Sequence, residues 1–149
     1  MNQSKILRPR LLLIEDDFDR IALFRSWVAN TPYILIEATT GGQAMGVVSR
    51  GAEGIAGICL DHDLNTSPKT QQDGTTSGSN VVASIIKHLP KTIPILVHSM
   101  NITMGEKMHR RLQGAGFSAT RVRMIALTEP RYRQWLEEVT ESWEDRTEL

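Results

Sequence analysis

Carboxylates, imidazoles, a hydroxyl and an amide stand in three short stretches of the sequence, each directly after an apolar run. The stretches are Glu15-Asp16-Asp17, Asp61-His62-Asp63 and His98-Ser99-Met100-Asn101. Carboxylates that lie close together repel one another, and they stay ionised only when a cation or hydrogen-bond donors compensate their charge. A hard divalent cation such as Mg²⁺ is the simplest compensation, because it prefers oxygen ligands. The three stretches therefore predict a metal and phosphate site, provided that the fold brings them together.

Each side chain in these stretches has a candidate role. The carboxylates of these stretches, those of Glu15, Asp16, Asp17, Asp61 and Asp63, are candidate metal ligands, because Mg²⁺ takes carboxylates together with phosphate oxygens. A carboxylate beside Mg²⁺ can also be a nucleophile toward phosphorus. A hydroxyl can hydrogen-bond a phosphoryl oxygen, and an imidazole can act as general acid or base near neutral pH. The candidate catalytic residues are therefore Asp61, Asp63, His62, His98, Ser99 and Asn101.

The direction of the two histidine side chains stays open. Neighbouring residues of an extended strand point to opposite faces, so His62 can point away from Asp61, and His98 away from Ser99. Local structural explanations exist as well, since acids before a helix favour its N-terminus and the second stretch can form a turn. The occurrence of all three stretches at predicted strand ends favours a site.

Apolar runs alternate with helix-like segments along the whole chain. Strands are predicted at 11–14, 33–38, 57–60, 93–97 and within 119–127, with a helix after each. This order predicts an α/β fold with a single doubly wound, five-stranded parallel sheet, flavodoxin-like in topology and covered on both faces. Ligands of such sheets bind outside the carboxyl ends of the strands, where all three polar stretches lie. One domain is predicted over 1–149, with a core over about 8–144.

Two helix boundaries are predicted from local signals. A polar stretch over 65–80 is predicted to be a loop, and the helix after it to cover 81–89 with Ser79 or Asn80 as its N-cap. The last helix is predicted to begin near Pro130. Its arginines can form a partner or homodimer surface, or simply a solvated face.

Composition excludes several classes of protein. The formal net charge of the 149 residues is zero, which gives no electrostatic reason to expect nucleic acid or acidic membranes as partners. The single cysteine, Cys59, cannot form an intrachain disulfide, and no apolar run approaches the about 20 residues of a transmembrane helix. No signal peptide is recognisable at the start, so a cytoplasmic location is expected.

The sequence resembles a response-regulator receiver domain of the CheY-like superfamily. LLLIEDDFDRIALFRSWV is similar to the first strand, acidic pair and first helix of that family, and SGSNVVASI to its third helix, with Gly78 at the matching place. The resemblance implies that Glu15 and Asp16 bind a metal ion and that Asp61 is the phosphoacceptor. It also implies that Asp63 offers the metal a backbone carbonyl and that Ser99 orients the phosphoryl group.

LDHDL and HSMN are most similar to a divergent receiver branch predicted to process cyclic phosphates. Other features depart from the receiver pattern. The lysine that follows the fifth strand in receivers is absent from ATRVRMIALTEP, where Arg121 or Arg123 is the candidate substitute. Asn65 replaces a proline, and the loop over 65–77 is longer than usual.

Three functions from different classes follow. The first is a stand-alone receiver-like response regulator that accepts a phosphoryl group on Asp61 with Mg²⁺ in phosphorelay signal transduction, with a phosphodonor kinase and a signalling protein as partners. The second is a metal-dependent phosphoesterase that acts on a cyclic or terminal phosphate of a small molecule or an RNA end. The third is a phosphate-independent pseudo-receiver that only binds a partner. Whether the protein is an enzyme stays open.

Overall fold

The computed structural model describes residues 8–64 and 77–147. The predicted loop over 65–77 lies outside these residues except for Ser77. No helix within the described parts of the chain has both the length and the apolar character that crossing a membrane requires.

Five parallel strands form one sheet. They are β1 (Arg10–Ile14), β2 (Ile34–Ala38), β3 (Ile55–Leu60), β4 (Ile95–Val97) and β5 (Ala119–Arg121), in the order β2-β1-β3-β4-β5. The chain leaves β1 toward one edge of the sheet and then returns past it to build the other half, so the order reverses between β1 and β3. All six residues of β3 are buried, as a strand covered on both faces requires. The predicted doubly wound parallel sheet is confirmed.

Within residues 8–64 and 77–147, five α-helices cover the two faces. They are α1 (Phe18–Val28), α2 (Gly41–Ser49), α3 (Gly78–His88), α4 (Ile102–Gly114) and α5 (Glu129–Thr147). Helices α1 and α5 contact each other on one face, whereas α3 contacts both α2 and α4 on the other. Because strand residues alternate between faces, the sheet contributes to two separate cores. The first contains Leu12, Ile14, Ile58 and Leu60, and the second contains Leu11, Leu13, Cys59 and Leu96.

Several predicted boundaries were wrong. Helix α3 begins at Gly78, before the predicted 81, and its N-cap is Ser77 and not Ser79 or Asn80. Asn80 instead accepts the Ser77 backbone N–H at 2.9 Å, so the amide side chain serves the first turn from inside the helix. The fifth strand does lie within the predicted segment 119–127: β5 ends at Arg121, and a 3₁₀ turn over Met124–Ala126 follows it. Strand β4 begins only at Ile95, after Pro94, which has no N–H to donate to a ladder.

Candidate metal and phosphate site

The first two polar stretches meet at the carboxyl edge of the sheet, where the strand order reverses. Asp61 N–H donates to the carbonyl of Ile14 at 3.0 Å, which fixes the end of β3 beside the end of β1. One carboxylate oxygen from each of Glu15, Asp16 and Asp61 lies within 4.8 Å of the others. The predicted convergence of these acids is therefore present, and it depends on the pairing of two strands that are not consecutive in the chain.

Glu15 is a fully buried carboxylate whose oxygens both have partners. Its Oε2 accepts the backbone N–H groups of Asp16 and Asp17 at 3.0 and 3.2 Å, and its Oε1 lies 2.9 Å from Nε2 of His98. Burial alone would raise the pKa of Glu15. The hydrogen bond from His98, the charges of His98 and Arg20 and the bond from Asp17 outweigh it, so the pKa lies below its usual value. Glu15 is thus held as an anion.

His98 follows β4 and points into the core on the α1 and α5 side. Its ring is fully buried, with its centroid 4.9 Å from that of Phe24. Nδ1 of this ring has no hydrogen-bond partner among the described residues. The sequence left the direction of the His98 side chain open. In the structure this side chain contacts Glu15, is closed to solvent and lies in the layer beneath the carboxylates.

Asp61 is the most chemically perturbed carboxylate of the cluster. Its side chain is 3% exposed, and Oδ1 accepts the His62 backbone N–H at 2.8 Å. Burial and the negative charge of Glu15 raise its pKa to about 6, although His98, His62 and a hydrogen bond with Ser99 act in the opposite direction. The repulsion between two buried acids is therefore only partly compensated, and a divalent cation at this place would relieve it.

Ser99 and Asn101 lie at the same edge of the sheet in different roles. Ser99 is fully buried, and hydrogen bonding from its hydroxyl acts to lower the pKa of Asp61. Oγ of Ser99 accepts the Asn101 backbone N–H at 3.1 Å. Oδ1 of Asn101 accepts the N–H of Met104 at 3.0 Å, which makes this residue the N-cap of α4. The side-chain oxygen of this candidate catalytic residue thus serves a helix terminus.

His62 and Asp63 form a pair of their own. Nδ1 of His62 lies 2.7 Å from Oδ1 of Asp63, whose side chain is 61% exposed. The grouped ligand atoms in the described part of the chain come from Glu15, Asp16 and Asp61, and the Asp63 carboxylate is not one of them. The structure therefore places the predicted fourth carboxylate ligand against an imidazole, beside the cluster.

Gly78 allows α3 to begin directly against the end of β3. A Cβ at this residue would lie 2.5 Å from the carbonyl oxygen of Asp61 and 2.6 Å from Cα of His62. Its N–H donates to the carbonyl of His62 at 2.9 Å. Both contacts involve backbone atoms that cannot turn away, so only glycine fits here. The first turn of α3 thereby holds the backbone of the Asp61-His62 turn.

Arg20 belongs to the site, and the sequence analysis assigned it no role. Its Nη1 lies 3.8 Å from Oε1 of Glu15 and 3.7 Å from Oδ2 of Asp61. The sequence did carry a signal: Arg20 lies on the first turn of the helix that follows the acids, so its side chain starts close to them. Neither arginine proposed as a lysine substitute forms an ion pair with Glu15 or Asp61 in the described residues. Arg121 donates to the carbonyl of Ile102 at 3.2 Å, and Nε of Arg123 is buried without a hydrogen-bond partner there.

Solved structures of receiver domains have the same fold. A CheY-like response regulator receiver domain protein from Methanospirillum hungatei matches with a TM-score of 0.70 and 13% identity, over 92% of this chain and 98% of its own. A signal receiver domain from Vibrio parahaemolyticus matches with a TM-score of 0.67 and 22% identity, over 96% and 99%. At these identities the likeness concerns the fold alone.

A third similar structure holds a metal ion. It is the receiver domain of a sensor histidine kinase from Pseudomonas aeruginosa, described with a magnesium ion coordinated in the active site cleft. It matches with a TM-score of 0.63 and 16% identity, over 89% of this chain and 98% of its own.

Sequence comparison identifies the family more narrowly. No curated protein matches the chain, but the model of the cyclic-phosphate processing receiver domain matches residues 11–114. The matched segment begins in β1 and ends with α4, so it contains all three polar stretches. With its receiver fold and its acidic cluster at the carboxyl edge of the sheet, the chain belongs to the cyclic-phosphate processing receiver domain family.

Proposed function

We propose that this protein is a receiver-type signalling domain that binds Mg²⁺ at its acidic cluster and accepts a phosphoryl group on Asp61. The observation that carries the proposal is the position of Asp61: a buried carboxylate at the end of β3, in contact with Ser99 and within 4.8 Å of two further acids. Its pKa of about 6 leaves it ionised at neutral pH and available as a nucleophile.

The donor set fits a hard divalent cation. Glu15, Asp16 and Asp61 offer only oxygen atoms, and their charges are incompletely compensated without a metal ion, as the raised pKa of Asp61 indicates. Asp63 would contribute its backbone carbonyl oxygen, since its carboxylate contacts His62. When bound, Mg²⁺ would neutralise part of the charge that three carboxylates and a phosphoryl group bring together.

The chain's own residues would align the reacting groups. The His62 N–H holds Oδ1 of Asp61, which leaves Oδ2 as the attacking atom. With a phosphodonor such as acetyl phosphate, a bond forms between this oxygen and phosphorus while the bond from phosphorus to the acetate oxygen breaks, and acetate leaves with the electron pair. The hydroxyl of Ser99 can then hydrogen-bond a phosphoryl oxygen. His98 acts as a positioning residue, because it fixes Glu15 from below.

Intact-mass spectrometry tests the proposal. Wild-type protein incubated with Mg²⁺ and acetyl phosphate should gain the mass of one phosphoryl group, and the Asp61→Asn protein should not. Asp63→Asn is the matched control, because its carboxylate lies outside the grouped ligand atoms, and it should be phosphorylated like the wild type. An unchanged wild-type mass would contradict the proposal.

A second candidate is a metal-dependent phosphoesterase, which the name of the matching family favours. The imidazole available to it is that of His62, whose side chain is 13% exposed, because that of His98 is closed to solvent. Release of product from 2′,3′-cyclic nucleotides, lost in both Asp61→Asn and His62→Ala proteins, would support this candidate. Turnover that survives both substitutions would contradict it.

The remaining alternatives depend on these two experiments. A pseudo-receiver would bind neither Mg²⁺ nor a phosphoryl group, and its partner binding would respond to surface substitutions and not to changes in the acidic cluster. Under the first proposal the partners are a phosphodonor kinase and a signalling protein, and the setting is the cytoplasm. A phosphorylation-dependent complex with such a protein is the measurement that would support this.

A further inference from the structure

Arg20 interacts with two acids of the site, Glu15 and Asp61, through charge and not through hydrogen bonds. Its two N···O distances, 3.8 Å to Glu15 and 3.7 Å to Asp61, are longer than a hydrogen bond permits. The guanidinium therefore compensates negative charge without committing its N–H donors to either carboxylate. A guanidinium has five such donors in a planar fork that matches phosphate oxygens.

The side chain of Arg20 also borders a cavity. A cavity of about 240 Å³ beside it is lined by Asp19, Arg20, Leu23, Met100, Met124 and Ile125. The backbone of Arg20 is fixed, because its N–H donates to the N-capping carboxylate of Asp17 at 3.0 Å. With 32% of its side chain exposed, the guanidinium can thus change direction while the helix stays in place.

The proposed ligands change the charge next to Arg20 in two steps. A divalent cation among the acids would weaken the attraction that now holds the guanidinium toward Glu15 and Asp61. A phosphoryl group on Asp61 would then place new anionic oxygens next to the carboxylate that Arg20 already faces. Neither Arg121 nor Arg123 has an ion pair with these acids in the described part of the chain.

We propose that Arg20, which reaches the site from α1, is the cationic anchor for the phosphoryl group on Asp61, since no arginine or lysine after β5 forms an ion pair with Glu15 or Asp61 within the described residues. The inference rests on the proposed function and adds one residue to it. In the metal-free protein Arg20 is the counter-ion of two acids, and in the phosphorylated protein its guanidinium donates to the phosphoryl oxygens.

The charge of Arg20 should oppose Mg²⁺ binding but favour phosphorylation of Asp61, so the variant Arg20→Gln separates the two steps. Calorimetric titration with Mg²⁺ alone should show affinity that is unchanged or a few-fold tighter, because a positive charge next to the metal ligands has been removed. Phosphorylation by acetyl phosphate at saturating Mg²⁺, followed by intact mass, should slow by about tenfold or more, because charge-assisted hydrogen bonds to the phosphoryl group are lost. Arg20→Lys should bind Mg²⁺ as the wild type does and phosphorylate at an intermediate rate, because lysine retains the charge but not the fork.

Arg25→Gln is the matched control. Arg25 lies on the same helix, and its Nη2 donates to Glu37 at 2.6 Å, away from the acidic cluster. Both measurements on this variant should equal those of the wild type. Phosphorylation of Arg20→Gln at the wild-type rate would overturn the inference and leave the proposed function intact. A wild-type protein that takes up neither Mg²⁺ nor a phosphoryl group would overturn both.

Discussion

Glu15 and Asp61 are neighbouring buried carboxylates whose pKa values move in opposite directions. Glu15 receives two backbone N–H groups and an imidazole, and these lower its pKa against the effect of burial. The pKa of Asp61 is raised by burial and by the negative charge of Glu15. One acid is therefore held as a permanent anion, while the other has unsatisfied negative charge that a metal ion can compensate.

Asp61→Asn should stabilise the metal-free protein at pH 7.5. A folded-state pKa of about 6, above the usual 3.8, means that ionising Asp61 opposes folding: its contribution is intact below pH 3.8 and is lost as the pH rises through 6. The amide avoids this cost, so the free energy of unfolding should rise by about 1–3 kcal/mol at pH 7.5. Urea denaturation of the two proteins measures this difference in the free energy of unfolding.

The same comparison at pH 4 should show little difference between the two proteins, because Asp61 is then protonated in the folded state. Asp145→Asn removes an exposed carboxylate from α5 and should change stability by less than about 0.5 kcal/mol at either pH. A destabilised Asp61→Asn protein at pH 7.5 without metal would contradict the assignment of unsatisfied charge to Asp61.

His98→Leu should destabilise the fold, because it leaves Glu15 buried without its imidazole partner. Removing one partner of a buried hydrogen-bonded pair costs about 1–3 kcal/mol, and more where the remaining group is charged, whereas replacing both partners by apolar groups can be nearly neutral. The double variant Glu15→Leu/His98→Leu should therefore be more stable than His98→Leu alone. A double-mutant cycle by chemical denaturation measures the coupling, and purely additive effects would argue against it.

At the scale of elements, the site depends on how closely α3 approaches the end of β3. Gly78 provides that approach, because any side chain there would meet the backbone of Asp61 and His62. The Ser77 N–H donates to the side chain of Asn80, so residues on both sides of this glycine stabilise the first turn of α3. The position of the Asp61-His62 turn is therefore determined partly by a helix terminus that follows it in the chain.

Gly78→Ala should destabilise the protein by about 1–3 kcal/mol and weaken Mg²⁺ binding, because the helix must move away from the Asp61 backbone. Gly114→Ala on α4 is the matched control, since an added Cβ there meets no atom within 4 Å. The control should be neutral or slightly stabilising, as alanine favours helix over glycine. Thermal unfolding and Mg²⁺ titration compare the two, and equal effects would show that the contact is unimportant.

At the scale of the whole molecule, the sheet order places β1 between β2 and β3 and opens the site where that order reverses. The two cores then support opposite sides of the site. Phe24 and His98 lie beneath the acids on the α1 and α5 side, and Gly78 and Met108 meet beside Asp61 on the other. A ligand bound at this edge would consequently contact residues that are supported by both layers of helices.

Mg²⁺ should raise the unfolding temperature of the wild type at pH 7.5. Ligand binding at a hundredfold excess over the dissociation constant stabilises a fold by about 2.7 kcal/mol. The effect should decline below pH 6, because the raised pKa of Asp61 lets protons compete with the metal ion there. Scanning calorimetry at pH 5 and 7.5 measures both, and Glu15→Gln should remove most of the shift. A shift that is equal at the two pH values would contradict the role of Asp61.

The sequence by itself determined the fold class and the location of the acids. Continuous apolar runs alternating with helices admit few arrangements other than a doubly wound parallel sheet, and the strands of such a sheet end at one edge. The acids after β1 and β3 were therefore expected at that edge, and the resemblance to receiver domains singled out Asp61 among them. The extent of the single domain over 1–149 stays a prediction.

The tertiary structure alone decided which side chains complete the site. His98 reaches Glu15 across 83 positions of sequence, and its direction depends on where Phe24 leaves room for a ring. Arg20 faces Glu15 and Asp61 because α1, which carries it, packs beside the ends of β1 and β3. Asn101 caps α4 because that helix begins directly after it. These outcomes are set by packing between distant segments, whereas the pattern of apolar residues reports only which face of each element is buried.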